Sequence, residues 1–157
     1  MRVKTEFSDR PPVFTVEREA NRAIITFYTD VEQLPREEGE AWSAVAWTIE
    51  RAWSDNLAER IAAAPELWFN EASAECYAIA AAAVRAQRDA LLKASDAEMA
   101  LDRLGLVVPT GSTFTAWLSF LRGLGDVLKG KMAIYRQTLR DITQQEGFPY
   151  DVEWPEA

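Results

Sequence analysis

Residues 13–29 read VFTVEREANRAIITFYT, and this stretch decides the fold class of the N-terminal part of the chain. VFTVER (13–18) alternates between apolar and polar residues, and AIITFYT (23–29) is rich in β-branched and aromatic residues, which favour strands. Residues 19–22 between them can make a turn, with Asn21 expected to take the positive φ. The stretch therefore predicts a β-hairpin.

A third strand is predicted at AWSAVAWTIERAW (41–53), after a polar loop at 34–40. The apolar period of 41–53 fits a strand or a helix. Val45, Trp47 and Ile49 alternate with small or polar neighbours, which favours a strand. Residues 1–53 are thus expected to form a small lobe with a three-stranded antiparallel sheet, in which residues 1–12 are only a polar leader.

Residues 54–157 predict a mostly α-helical lobe that ends in an extended aromatic tail. Ser54 or Asp55 is expected to cap a first helix, whose apolar face would cover the sheet. Further helices are expected from Pro65, from about Ser73 to Ala94, from a capping box at 95–98 to near Gly105, and from Phe114 onward. The predicted fold class is therefore α+β.

Two apolar stripes at helical spacing mark the last helices, and the final one should stop before Gly147. Pro149 prevents the helix from resuming, so the tail is expected to be extended. Trp154 either packs on the chain's own helices or docks on a partner. The first stripe is Phe114, Trp117, Leu118, Leu121 and Leu124, and the second is Met132, Tyr135, Leu139 and Ile142.

The composition argues against most kinds of catalysis. The chain has 157 residues, a net charge of -8, one Cys and no His. A Ser-His or Cys-His nucleophile pair and a zinc site with His ligands are therefore excluded. Cys76 is expected to be a small buried residue. Catalysis by carboxylates alone stays open in principle. The composition favours a protein that is not an enzyme and uses no cofactor, metal or small-molecule substrate.

Nucleic acid and membranes are not expected partners. Lys and Arg are scattered along the sequence, whereas tracking a phosphate backbone needs concentrated positive charge. No apolar run reaches the roughly 20 residues that span a bilayer. The start, MRVKTEFSDR, has charges but no apolar run, so no signal peptide is predicted.

Four spaced motifs give the sequence a family resemblance. They are RDALLKASD (88–96), YRQTLRDI (135–142), QQEGFP (144–149) and VEWP (152–155). In this order they resemble the C-terminal module of phage tail fibre assembly proteins, also called tail assembly chaperones, over about residues 85–157. The segment between Asp96 and Tyr135 is longer than in the simplest versions of that module.

The resemblance implies a helper that acts in the host bacterial cytoplasm and, where it is retained, in the virion tail. Its partner would be a phage tail fibre or another tail protein, whose folding or trimerisation it aids. The sheet could offer a strand edge to that partner. The matching motifs imply these partner-binding residues: Tyr135, Arg136, Arg140, Phe148, Pro149, Trp154 and Pro155.

Arg88 and Asp89 are also expected to pair with Arg140 and Asp141 across a helical hairpin. Two other functions stay open at this point. One is a permanent structural component of a phage tail, baseplate or fibre tip. The other is an acidic interaction protein, for example one that counters host defence.

Overall fold

A computed structural model describes residues 1–35, 41–99, 103–111 and 113–156. It has an antiparallel sheet near the N-terminus followed by helices, which confirms the predicted α+β class. By contacts, the chain divides into two compact units, residues 1–80 and 81–157, called unit 1 and unit 2. The predicted division into domains at 53/54 stays a prediction, although residues 54–80 group with the sheet in unit 1.

Unit 1 contains a four-stranded antiparallel sheet in the order β1-β4-β3-β2. The predicted hairpin is formed by β2 and β3, and the predicted strand at 41–53 is β4. The strands are β1 (Arg2–Phe7), β2 (Phe14–Glu19), β3 (Arg22–Leu34) and β4 (Ala41–Ala52). The predicted loop at 34–40 begins one residue later than expected, and its residues 36–40 lie outside the described part of the chain.

The prediction of three strands is wrong, because the expected polar leader contains β1. Arg2 to Phe7 pair in antiparallel register with Trp47 to Trp42 of β4. β1 is an edge strand, and its residues before Phe7 are all exposed. A strand that buries neither face has no apolar alternation, so its pattern gives no strand signal.

The hairpin turn also differs from its prediction. The residue with positive φ is Ala20, at 54°, and not Asn21. Glu19 pairs with Arg22, so the connection has only two residues, and such connections need positive φ at the first or both positions. The carbonyl oxygen of Asn21 accepts a hydrogen bond from the Trp53 N–H at 3.0 Å, which holds this turn against the end of β4.

The helices are α1 (Leu57–Ala63), α2 (Pro65–Ala94), α3 (Phe114–Leu128) and α4 (Lys131–Asp141), with short 3₁₀ turns at Ala97–Met99 and Ile142–Gln144. The two helices predicted between Pro65 and Ala94 are one helix of 30 residues. Its residues 66–94 contain no Gly or Pro, so nothing interrupts the backbone ladder. Ser73 donates its hydroxyl hydrogen to the Asn70 carbonyl inside the helix instead of starting a new one.

Two predicted caps are absent from the described residues. The residue before α1 is Asn56, whose side chain makes no capping bond, and Asp55 accepts a hydrogen bond from the Trp53 indole instead. Residues 95–98 do not form a capping box, since Ser95 donates its hydroxyl hydrogen to the Leu92 carbonyl. A 3₁₀ turn follows there, and residues 100–102 of the predicted helix lie outside the described chain.

The core of unit 1 forms where α1 and the first part of α2 cover one face of the sheet. Phe69 of α2 makes edge-to-face contacts with Phe27 and Trp47, with ring centroids 6.0 and 5.7 Å apart. Such pairs add to the apolar area that they bury. The buried cluster consists of Ala23, Ile25, Phe27, Ile49, Leu57, Ile61, Ala72 and Cys76, which confirms the expected burial of Cys76.

A charged contact joins the same layers at their rim. Arg51 of β4 forms ion pairs with Glu75 at 2.8 Å and with Glu71 at 3.0 Å, both on α2. The hydrogen bond that Arg51 donates to Glu75 raises the pKa of its guanidinium, and the charge of Glu75 and the hydrogen bond and charge of Glu71 raise it further. Arg51 therefore keeps its charge and fixes the register of α2 on β4.

Replacing Ile61 by Ala should lower the free energy of unfolding by about 2–5 kcal/mol, because it leaves a cavity between α1 and the sheet. Urea denaturation followed by circular dichroism measures this change. The matched control is Ile79→Ala, since Ile79 is 58% exposed and its loss should change stability by less than about 0.5 kcal/mol. Equal losses in the two variants would contradict the position of the core.

Candidate partner-binding surfaces

A groove on α4 brings together two of the predicted site residues. Its cavity of about 430 Å³, which we call the α4 groove, is lined by Met99, Ala133, Ile134, Arg136, Gln137 and Arg140. Residues 133, 136, 137 and 140 share one helix face because they are three or four positions apart. Arg140 and Ile134 are exposed, so the lining of this groove includes both an apolar side chain and a cation.

Arg136, however, is committed to unit 2 itself. Its guanidinium donates hydrogen bonds to the Leu92 carbonyl at 3.0 Å and to the Ser95 hydroxyl, and it forms an ion pair with Asp96 at 2.8 Å. A cation at the C-terminal end of a helix also interacts favourably with the helix dipole. Arg136 thus fastens α4 to the end of α2, and its side chain is only 15% exposed.

The predicted pairing of Arg88 and Asp89 with Arg140 and Asp141 is wrong. Arg88 pairs with its own neighbour Asp89 at 2.7 Å, and Asp141 accepts hydrogen bonds from Gln137 on the same helix. The contact between α2 and α4 is made by Arg136, four positions before Arg140. The sequence showed charges that can pair but not the register in which the two helices meet.

Tyr135 lies on the other face of α4, together with Leu139, and both are buried. Ile142, one turn further on, is buried as well. These residues pack the interior of unit 2 at the helical spacing that the sequence predicted. Contact between Tyr135 and a partner stays a prediction, and the burial of this side chain does not favour it.

The C-terminal tail begins with a turn, which corrects the expectation that it is extended throughout. The N–H groups of Tyr150 and Asp151 donate to the Gly147 carbonyl, and residues 152–156 continue without regular structure. A Cβ on Gly147 would lie 2.0 Å from the Asp151 carbonyl oxygen, so only glycine fits this turn. The Phe148–Pro149 peptide bond in it is cis.

The tail packs on unit 2. Pro149 is buried, and the Arg85 guanidinium of α2 lies 5.5 Å from the centre of the Phe148 ring. The Gln145 side chain both donates to and accepts from the backbone of Glu153, at 2.9 and 2.8 Å. Trp154 and Pro155 are partly buried. Phe148 is partly buried as well, so of the four predicted tail contacts only Pro149 is buried, and the other three keep surface for a partner.

Most of the large apolar side chains that are exposed in the described part of unit 2 lie on α3. Four of its side chains, which we call the α3 stripe, are between 37% and 77% exposed: Phe114, Trp117, Leu118 and Leu121. They follow the spacing i, i+3, i+4, i+7 and so form one continuous face. The sequence predicted this stripe, but an apolar period usually marks a core face, and only the structure shows that this face is open.

The opposite face of α3 is partly covered by residues 105–109, since Phe120 and Gly123 are half-buried whereas Ala116 and Ser119 are exposed. A Cβ on Gly123 would lie 2.8 Å from the Leu106 side chain, which shows how closely residues 105–109 approach the helix. Ala116, Ser119 and Phe120 line a cavity against the same segment. The Trp117 indole N–H donates to the Gly111 carbonyl at 2.9 Å and so orients this ring at the border of the stripe.

Exposed apolar patches of this kind mark sites of interaction. Residues 104–121 contain no charged residue, so the start of the α3 stripe has no charged side chain of its own to hold water over it. In the described residues, no three His, Cys, Asp or Glu side chains are grouped in a way that could hold a metal ion. No described helix has the length and apolar character needed to cross a membrane.

The family model of phage tail assembly chaperone proteins matches residues 81–157, which are unit 2. Over residues 81–157 the chain is similar to phage tail assembly chaperone proteins. This confirms the resemblance that four motifs indicated over about residues 85–157. The α3 stripe, the α4 groove and the folded tail all lie in this chaperone module. No curated protein and no solved structure matches the chain.

Arg136 and Arg140 should respond differently to truncation. Arg136→Ala leaves the Leu92 carbonyl, the Ser95 hydroxyl and Asp96 without their shared donor, and should lower stability by about 1–3 kcal/mol. Arg140→Ala removes an exposed side chain and should change stability by less than about 0.5 kcal/mol. Urea denaturation of both variants measures the difference, and a neutral Arg136→Ala would show that this side chain is not a structural fastener.

Proposed function

We propose that this protein is a non-enzymatic chaperone that binds a phage tail fibre and aids its folding or trimerisation. The match of unit 2 to the tail assembly chaperone family model supports a role in tail assembly. The observation that carries the proposal further is the α3 stripe, because an open apolar helix face within that module is suited to hold another polypeptide.

The needs of a fibre fit such a surface. Long β-rich chains form distant contacts slowly, and their unpaired strands and apolar faces stay exposed during assembly. A helper that covers apolar surface for this period suppresses wrong pairing without any chemical step. The α3 stripe offers two aromatic rings and two leucines, and aromatic residues are frequent anchors of interfaces.

The α4 groove supplies a second contact in this proposal. Ile134, which is 61% exposed, and the exposed Arg140 both line the groove, so the groove suits a segment that carries an apolar side chain and a carboxylate. Arg136 positions the groove through the end of α2. Trp154 and Pro155 add surface at the tail. Tyr135 on α4 and Pro149 in the tail are buried and support these surfaces from within unit 2.

The site of action in this proposal is the host cytoplasm during virion assembly. A helper that leaves after assembly is absent from finished particles or present in variable amounts. A permanent component of the tail, baseplate or fibre tip is present in a fixed number of copies. Mass spectrometry of purified particles, calibrated with labelled peptides of this chain, separates the two.

Placing a charge on the α3 stripe should abolish the chaperone effect. Leu118→Asp and Leu121→Asp each replace an apolar contact worth about 1.5–3 kcal/mol, which corresponds to a loss of fibre affinity of about tenfold or more. The measurement is the yield of soluble fibre trimer when each variant is co-expressed with a tail fibre of the same phage.

The control for this experiment is Ile79→Asp in unit 1. Ile79 and Leu121 are 58% and 57% exposed, so the two substitutions place the same charge at equally exposed helical positions. Circular dichroism of all variants checks that they stay folded. Wild-type trimer yields with folded Leu118→Asp and Leu121→Asp proteins would refute the role of the stripe.

A further inference from the structure

A second surface lies in unit 1, outside the module that matches the chaperone family. It centres on an apolar cavity of about 300 Å³, which we call the β2-end pocket. The residues that line it include Val13, Phe27, Tyr28, Pro65, Glu66 and Phe69. All of them belong to unit 1, so the pocket forms between the sheet and the first turn of α2.

The pocket lies at the first residue of β2, where β3 extends beyond its pairing with β2. The last pair of β2 with β3 is Phe14 with Phe27, and the Tyr28 N–H still donates to the Val13 carbonyl at 3.0 Å. β3 then runs on to Leu34, and among the described residues this extension pairs with β4 only. One edge of residues 30–34 is thus open to a further strand.

The sheet is irregular at this point. The register of β3 against β4 shifts between Thr29 and Glu32, and Asp30 has a positive φ of 50°. Bulges of this kind are common at sheet rims and next to binding sites, where they redirect the strand. The bulge here separates the paired half of β3 from the half whose outer edge is open.

The charges around the pocket are negative. Glu66 lines the cavity, and Asp30 and Glu32 are exposed on β3 just past it. Unit 1 as a whole has 15 Asp and Glu against 8 Lys and Arg, whereas unit 2 has 10 against 9. The excess of acidic residues is therefore concentrated in unit 1. A partner segment with positive charge is attracted to this site, and a negatively charged one is repelled.

We propose that the β2-end pocket and the open edge of β3 bind an extended, basic segment of another polypeptide. The segment adds as a strand beside residues 30–34 and places one large apolar side chain in the pocket. Backbone hydrogen bonds supply affinity in this mode, and the pocket selects the side chain. A cavity of about 300 Å³ is at the small end of ligand sites, which suits a single Leu, Met or Phe.

A second copy of this chain is a poor occupant of the site. Strand addition between two copies through β3 would place Asp30 and Glu32 of one copy near those of the other, and like charges across a strand pair are destabilising. The basic segment therefore comes from a different protein. This inference does not depend on tail-fibre binding by unit 2, because it rests on residues of unit 1 alone.

The test uses three synthetic nonapeptides with a fluorescent label. The first has the sequence KTKTLTKTK, the second replaces the central Leu by Ser, and the third replaces every Lys by Glu. Fluorescence anisotropy with the full-length protein should show that the first peptide binds about tenfold or more tighter than the other two. The second peptide lacks the buried Leu, which contributes about 1.5–3 kcal/mol. The third peptide is repelled by the acidic site. Equal binding of the three peptides, or no saturable binding of the first up to about millimolar protein, overturns the proposal.

Substitutions at the rim locate the binding site. Val13 is 67% exposed, so Val13→Trp blocks the mouth without disturbing the core, and the affinity for the first peptide should fall about tenfold. Glu66→Lys should weaken binding about threefold, and this loss should shrink at high salt. The matched controls are Val3→Trp on β1, at the other edge of the sheet, and Glu59→Lys on α1, which is also exposed.

Controls that weaken binding as much as the rim variants would place the peptide elsewhere and overturn the proposal. Amide chemical shifts in ¹⁵N-labelled protein give an independent readout, with the largest changes expected at Thr29, Asp30 and Phe69. Fibre trimer yields from co-expression report on the chaperone role separately. A failed peptide experiment with normal fibre trimers refutes this inference and leaves the proposed function intact.

Discussion

Burial of one face of the sheet beneath α1 and α2 is the constraint on which unit 1 depends. Ile25, Phe27 and Ile49 project from the sheet onto Ile61 and Ala72, and this contact fixes where α2 begins relative to the strands. Because β3 is longer than β2, the start of α2 covers a place where the sheet has lost its edge strand. The β2-end pocket is a direct result of this mismatch in length.

In unit 2 the apolar residues of the helices fall into two groups, one buried in the interior and one exposed. Tyr135, Leu139 and Ile142 pack inward, and Arg136 fastens the same helix to the end of α2. α3 instead has only half-buried positions at Phe120 and Gly123, where Leu106 comes close, and leaves Phe114, Leu118 and Leu121 exposed. A protein that works by holding other chains needs such an uncovered face, and a purely structural core does not explain it.

Much of the fold could be predicted because the period of apolar residues follows local geometry. Apolar residues line one face of each of these elements: the hairpin, β4, α3 and α4. They therefore recur every two residues in the strands and every three to four residues in the helices. β1 was missed because an edge strand with exposed side chains has no such repeat. The single helix α2 was divided in two because Pro65 and Ser73 suggested two starts, although only Pro65 begins a helix.

The candidate surfaces show the limit of reading the sequence alone. The sequence alone established the fold class, the absence of histidine chemistry, the similarity of residues 81–157 to tail assembly chaperones and the existence of the α3 stripe. Only the tertiary structure decided which stripe is buried and which is open. It also decided that Arg136 is a structural fastener and that the tail folds back on unit 2. The physical reason is that periodicity depends on neighbours along the chain, whereas exposure and pairing depend on residues that are distant in sequence.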